Sequence, residues 1–122
     1  MKAILVKRCG GPEVLELTDL PVPKPKSNEA LIQIKASGVN FIDVYFCQGR
    51  YPAPLPFVIG QEAAGVVVEV GSDMANVKPG DRVAYTGIQG SYAEYAAVPA
   101  ERLVHVPPGV TDQQAAAAML QA

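Results

Sequence analysis

Gly60-Gln61-Glu62-Ala63-Ala64-Gly65-Val66-Val67-Val68-Glu69-Val70-Gly71 is the stretch whose reading decides the fold. Val66, Val67, Val68 and Val70 carry β-branched or strand-favouring side chains, so the segment suits a pleated strand, with Gly65 and Gly71 expected at its two ends. Beyond it, Val77 precedes Lys78-Pro79-Gly80-Asp81, which favours a tight turn, and Arg82-Val83-Ala84-Tyr85 supplies a second strand. The polar pair Gln61-Glu62 therefore stands at the entrance of a stiff apolar hairpin. That place suits either a binding site or a solvated loop.

Upstream, Lys2-Ala3-Ile4-Leu5-Val6-Lys7 and Val14-Leu15-Glu16-Leu17 are two apolar runs separated by Cys9-Gly10-Gly11-Pro12, and they read as an antiparallel pair. Pro21-Val22-Pro23-Lys24-Pro25-Lys26-Ser27 cannot support ladder hydrogen bonds at its prolines and should run extended as a connection. In Glu29 to Ser37, Ile32 and Ile34 share one face and Gln33 and Lys35 the other, the alternation of a half-buried strand. After Gly38 the period becomes helical: Asn40 is placed to cap a helix that Gly49 ends. On that helix Asn40, Asp43 and Val44 fall on one side, and Phe41, Tyr45 and Gln48 on another. A proline-stiffened loop, Arg50 to Phe57, returns the chain to Gly60.

Downstream, Ser91 to Val98 alternates as a strand, and Leu103-Val104-His105-Val106 forms one more short strand before Pro107-Pro108-Gly109. Thr111 caps an Ala-rich run from Asp112 to Gln121, which includes Met119 and Leu120. A helix of about ten residues is marginal alone, so this one needs a surface to pack on. The expectation is that this surface belongs to further protein, with the chain stopping within a larger molecule.

At 122 residues the chain fits one domain able to bury roughly two-thirds of its unfolded surface. Eleven glycines and eleven prolines, with 18% charged residues, imply many short elements and mostly β structure. A net charge of −2 and the lack of a Lys/Arg cluster exclude a phosphate-backbone partner. No apolar run approaches the ~20 residues needed to span a bilayer, and Met1-Lys2-Ala3-Ile4 opens as a strand instead of a signal peptide. The expectation is a soluble, cytoplasmic protein. Cys9 and Cys47 stand apart, outside any paired ligand spacing, and read as free thiols serving as small apolar fillers.

Asn40, Asp43, Gln61 and Glu62 are the polar residues most suited to converge. Asn40 can offer a fixed amide to a ligand, cap its helix, or do both. Asp43 can face a cation or bind local backbone donors at the helix start. For Gln61 and Glu62, placement alone favours a solvated strand entrance. Tyr45 and Tyr51 flank the same corner; a phenol can stack on a flat ring and donate to a carbonyl oxygen, or simply pack. His105 has no sequence context for chemistry, and no Ser/His/Asp triad or phosphate-cradling glycine loop is present.

Gly38-Val39-Asn40-Phe41-Ile42-Asp43, Gly60-Gln61-Glu62-Ala63-Ala64-Gly65, Val70-Gly71 and Gly80-Asp81-Arg82-Val83 together resemble the N-terminal catalytic domain of the medium-chain dehydrogenase/reductase superfamily, and within it the zeta-crystallin-like quinone oxidoreductases. The likeness runs from Lys2-Ala3 and Gly10-Gly11-Pro12-Glu13-Val14-Leu15 to the Ala-rich helix. It implies a GroES-like, partly open β-barrel with short helices over residues 1–110, and over 111–122 the start of a helix connecting to a Rossmann nucleotide-binding domain. Zinc-dependent members carry Cys where Asn40 stands and His where Gln61 stands. Amides are poor zinc ligands beside thiolate and imidazole, and Tyr85 to Tyr92 lacks the four cysteines of the structural zinc lobe, so the resemblance implies no metal.

The zinc-independent branch reduces a quinone or an activated double bond with NADPH. By that likeness Asn40, Phe41 and Asp43 lie near the cofactor, Tyr45 and Tyr51 act on the substrate, and Gln61 and Glu62 are candidates for the substrate cleft. The glycine fingerprint that grips pyrophosphate is not in this sequence, so the chain alone should bind cofactor weakly and be inactive, and a homodimer would form through the Rossmann domain. Two alternatives stay open: an enoyl or alkenal reductase working on an enone, and a GroES-like binding module without catalysis.

Overall fold

The computed structural model describes residues 1–119. The strands are β1 (Lys2–Val6), β2 (Leu15–Asp19), β3 (Glu29–Ser37), β4 (Phe57–Val58), β5 (Glu62–Val70), β6 (Arg82–Thr86), β7 (Tyr95–Pro99) and β8 (Val104–His105), and the helices are α1 (Phe41–Gln48) and α2 (Asp112–Ala118). The expected mainly β, partly open architecture is what forms. Two sheets are built, one ordered β2-β1-β4 and the other β7-β3-β5-β6-β8. The expected β1–β2 pair is antiparallel, Ile4 facing Leu17. The central hairpin pairs β5 with β6, Glu62 opposite Thr86 and Val66 opposite Arg82.

The alternation of β5 explains the layers. Ala63 and Val67 face a core shared with Ile32, Val83, Tyr85 and Val98, whereas Ala64 points the other way, with Ala84, onto Ala115 and Ala116 of α2. Alanine on both sides lets the helix approach the sheet closely. One face of the Ala-rich helix thus finds a surface on the chain's own sheet, while Ala117 and Ala118 stay exposed. Thr111 caps α2 as expected, its Oγ1 accepting from the Gln114 N–H at 3.1 Å. The expected helix ran to Gln121, and its last residues lie outside the described residues.

Two strand boundaries differ from expectation. Gly65 lies inside β5, not at its end, because a Cβ there would sit 2.1 Å from the Gln33 carbonyl oxygen on β3. Glycine here admits a close strand approach beside a register shift between Ile34 and Ala36. The strand expected from Ser91 begins at Tyr95; before it, only Ala3 and Ala93 form an isolated bridge. His105 finds a carboxylate that its sequence neighbours did not reveal, its Nε2 lying 3.3 Å from Asp81 Oδ2 on the turn before β6.

Candidate functional site

The corner between β3 and β5 gathers the site. Gly38 and Val39 carry the chain from β3 to Asn40, whose extended backbone (φ −134°, ψ 156°) marks it as the residue before helix α1. Its main-chain N–H donates to Asp43 Oδ2 at 3.1 Å, half of a capping box. Gly49 ends the helix in the left-handed region at φ +81°, as the glycine there suggested.

Asn40 does more than begin a helix. Its Nδ2 donates to Glu62 Oε1 at 2.8 Å, tying α1 to the first residue of β5. Glu62 is only 1% exposed, so the solvated entrance favoured for Gln61 and Glu62 is corrected: both side chains are buried. Glu62 is anchored through its backbone as well, its N–H donating to Ser91 Oγ at 3.3 Å and its carbonyl accepting from Gly38 N at 2.8 Å. Ser37 Oγ in turn donates to the Ser91 carbonyl. Gln61 presents its carbonyl to the Gly87 N–H at 2.9 Å.

Asp43 is 4% exposed and takes a second donor on the same Oδ2, the Tyr92 hydroxyl at 2.5 Å. Burial first, and then this hydrogen bond and the charge of Asp43, push the Tyr92 phenol well above the ordinary tyrosine range. Asp43 Oδ1 is buried without a hydrogen-bond partner. Tyr92 and Ser91 were missed in the sequence because they sit in a stretch that alternates like a strand, and nothing local marks their contacts with α1 and β5.

One wall of α1 lines an apolar cavity of about 250 Å³, closed on the far side by Gly10, Gly11 and Pro12. Asn40, Asp43 and Val44 share that wall, as their spacing suggested, but Gln48 joins them instead of siding with Tyr45. Cys47 is buried on this wall with its Sγ 3.5 Å from the Gly10 carbonyl, and burial raises its thiol pKa. Cys9 is exposed, so it is no core filler.

Tyr45 and Tyr51 form a separate group. Their rings meet edge to face at 5.7 Å, Tyr51 also meets Phe46 at 5.5 Å, and the Arg50 guanidinium lies 5.6 Å from the Tyr45 ring centre. Tyr51 remains 46% exposed. At the start of α1, Val39 and Phe41 flank Asn40 and are 83% and 80% exposed, a pair of apolar side chains beside a fixed amide. Among the described residues, no three His, Cys, Asp or Glu side chains are grouped so as to hold a metal ion, and no helix is long and apolar enough to cross a membrane.

Comparison with known proteins places this corner in a family. Residues 26–108 match the alcohol dehydrogenase GroES-like domain. The chain is 48% identical to a quinone oxidoreductase of Pseudomonas aeruginosa over 98% of its own length and 38% of the relative's. With quinone oxidoreductase 1 of Escherichia coli it shares 41% identity, over 92% of this chain and 35% of that protein. It superposes on the crystal structure of Escherichia coli quinone oxidoreductase complexed with NADPH with a TM-score of 0.96 at 39% identity, covering 99% of this chain and 38% of that one. The quinone oxidoreductase of Pseudomonas syringae pv. Tomato DC3000 gives a TM-score of 0.96 at 46% identity, over 99% and 38% of the two chains. The chain thus spans little more than a third of the length of these relatives. A GroES-like fold whose sequence matches the family model over residues 26–108, and which is similar over nearly its full length to part of several quinone oxidoreductases, means that the chain belongs to the alcohol dehydrogenase GroES-like domain family.

Proposed function

We propose that this chain is the substrate-facing part of an NADPH-dependent quinone reductase that works without zinc. The observation that carries the reading is Asn40: its amide is held on a buried carboxylate at the mouth of α1, between the exposed side chains of Val39 and Phe41. A flat nicotinamide ring suits such a place, since apolar side chains can cover a ring face while a fixed amide meets its polar substituent. NADPH, when bound, supplies the hydride that reduces the acceptor. The relatives named quinone oxidoreductases support the acceptor class.

The work of the chain is orientation and polarity. Asn40, Phe41 and Asp43 hold or shape the cofactor side. Tyr51, half exposed and braced by Tyr45 and Phe46, offers a phenol to the acceptor oxygen on which negative charge grows. Gln61 and Glu62 support this corner from beneath. The donor chemistry speaks for a zinc-free site: an amide at Asn40 is a poor zinc ligand beside a thiolate or imidazole, and its NH2 group is engaged by Glu62. The reading also includes a cytoplasmic homodimer assembled outside this domain.

The test is NADPH oxidation by the protein carrying this chain, with quinones and conjugated enones compared side by side. Quinones are expected to be the better acceptors, and Tyr51→Phe to lower kcat with them by roughly 10–100-fold while leaving NADPH affinity unchanged. Faster turnover of enones would make it an alkenal reductase, and no hydride transfer to either class would leave a binding module.

A further inference from the structure

A carboxylate sealed from water and placed one hydrogen bond behind a candidate cofactor contact has a job, or it is a cost without return. We infer that Glu62 is a positioning residue for hydride transfer, acting through Asn40, whose side-chain amide it holds in one orientation. The inference rests on the role proposed above for Asn40.

The geometry is specific. Glu62 Oε1 accepts from Asn40 Nδ2 at 2.8 Å. With Nδ2 as the donor, the NH2 end of Asn40 faces Glu62, and the amide cannot flip without losing the bond. The backbone of Glu62 is pinned on both sides, to Ser91 Oγ and to Gly38 N, and its side chain is sealed from solvent. Gly38 makes room for it. A Cβ at position 38 would lie 2.2 Å from Glu62 Oε1 and 2.7 Å from the Ala116 carbonyl oxygen, so any larger residue there would displace the carboxylate from Asn40. Gly38, Asn40 and Glu62 therefore form one unit although 22 residues separate the last two. With 1% exposure Glu62 has no face for substrate, which moves it from the cleft to the support beneath it.

The experiment is a double-mutant cycle in the protein carrying this chain, measuring kcat with NADPH and a benzoquinone, the NADPH Kd, the thermal midpoint, and the Asn40 side-chain NH2 resonances without ligand. Glu62→Gln keeps an acceptor oxygen and is expected to stay within about 3-fold of the starting kcat, with the Asn40 resonances in place. Glu62→Leu has none; kcat should fall on the order of 10–100-fold, about as far as in Asn40→Ala, and the Asn40 resonances should move. Glu62→Leu combined with Asn40→Ala should then fall no further. Losses that multiply, or a Glu62→Leu protein that melts earlier yet turns over normally while folded, would overturn the inference and leave Asn40 its role. If Asn40→Ala alone changes neither kcat nor NADPH Kd, the proposed role of Asn40 fails and the inference goes with it.

Discussion

Asp43 illustrates how a residue that looks like a helix cap becomes part of a site. Its Oδ2 collects the Asn40 N–H and the Tyr92 hydroxyl, two donors from segments about fifty residues apart in the case of Tyr92. Tyr92→Phe removes the second donor and leaves a buried carboxylate underserved. A hydrogen bond to a charged group is worth about 1.5–3 kcal/mol, and the variant should lose roughly that much stability, read as a lower denaturant midpoint. The pH dependence has a definite sign. The folded pKa of Tyr92 is raised, by burial first and by Asp43 second, so its contribution is whole below the ordinary tyrosine pKa of about 10 and is lost as pH rises beyond it. The stability gap between the native protein and Tyr92→Phe is therefore expected to narrow above about pH 10. A gap unchanged at pH 7 and pH 11 would contradict that account.

At the scale of elements, the central sheet depends on a glycine that reads as a strand end. Gly65→Ala would drive a Cβ to 2.1 Å from the Gln33 carbonyl, and backbone cannot yield as a flexible side chain does. The variant should lose at least about 1–3 kcal/mol, with amides of β3 and β5 exchanging faster. Near-native stability would mean that the two strands can separate at little cost. The same glycine shows where sequence reading succeeds and stops. The β1–β2 pair, β3, α1 with Asn40 before it and Gly49 after it, and the Thr111 cap were all legible because local period and local capping decide them. Gly65 misled because a lone glycine looks the same whether it breaks a strand or lets two backbones touch. Ser91 to Glu94 misled because its alternation survives although its atoms are spent on Glu62 and Asp43. In the site, Asn40 and Asp43 were placed on one helical face by spacing alone, but the burial of Glu62 depends on Asn40 and Gly38, two positions no local pattern links to it.

For the whole molecule, the chain covers 38% of the Pseudomonas aeruginosa relative, and its functional corner is open where Val39 and Phe41 face solvent. Metal content tests the zinc-free reading at this scale. Protein purified without chelators is expected to hold far less than one zinc per chain, and a tightly bound equivalent would place the protein on the other branch of the superfamily. Hydrogen–deuterium exchange of the protein carrying this chain, with and without NADPH, tests the central claim most directly, because it reports at each amide and does not depend on knowing the acceptor. The account predicts slower exchange across Asn40 to Asp43 on adding NADPH, with the distant strand β8 unchanged. Protection confined to other segments, with the start of α1 unaffected, would contradict it.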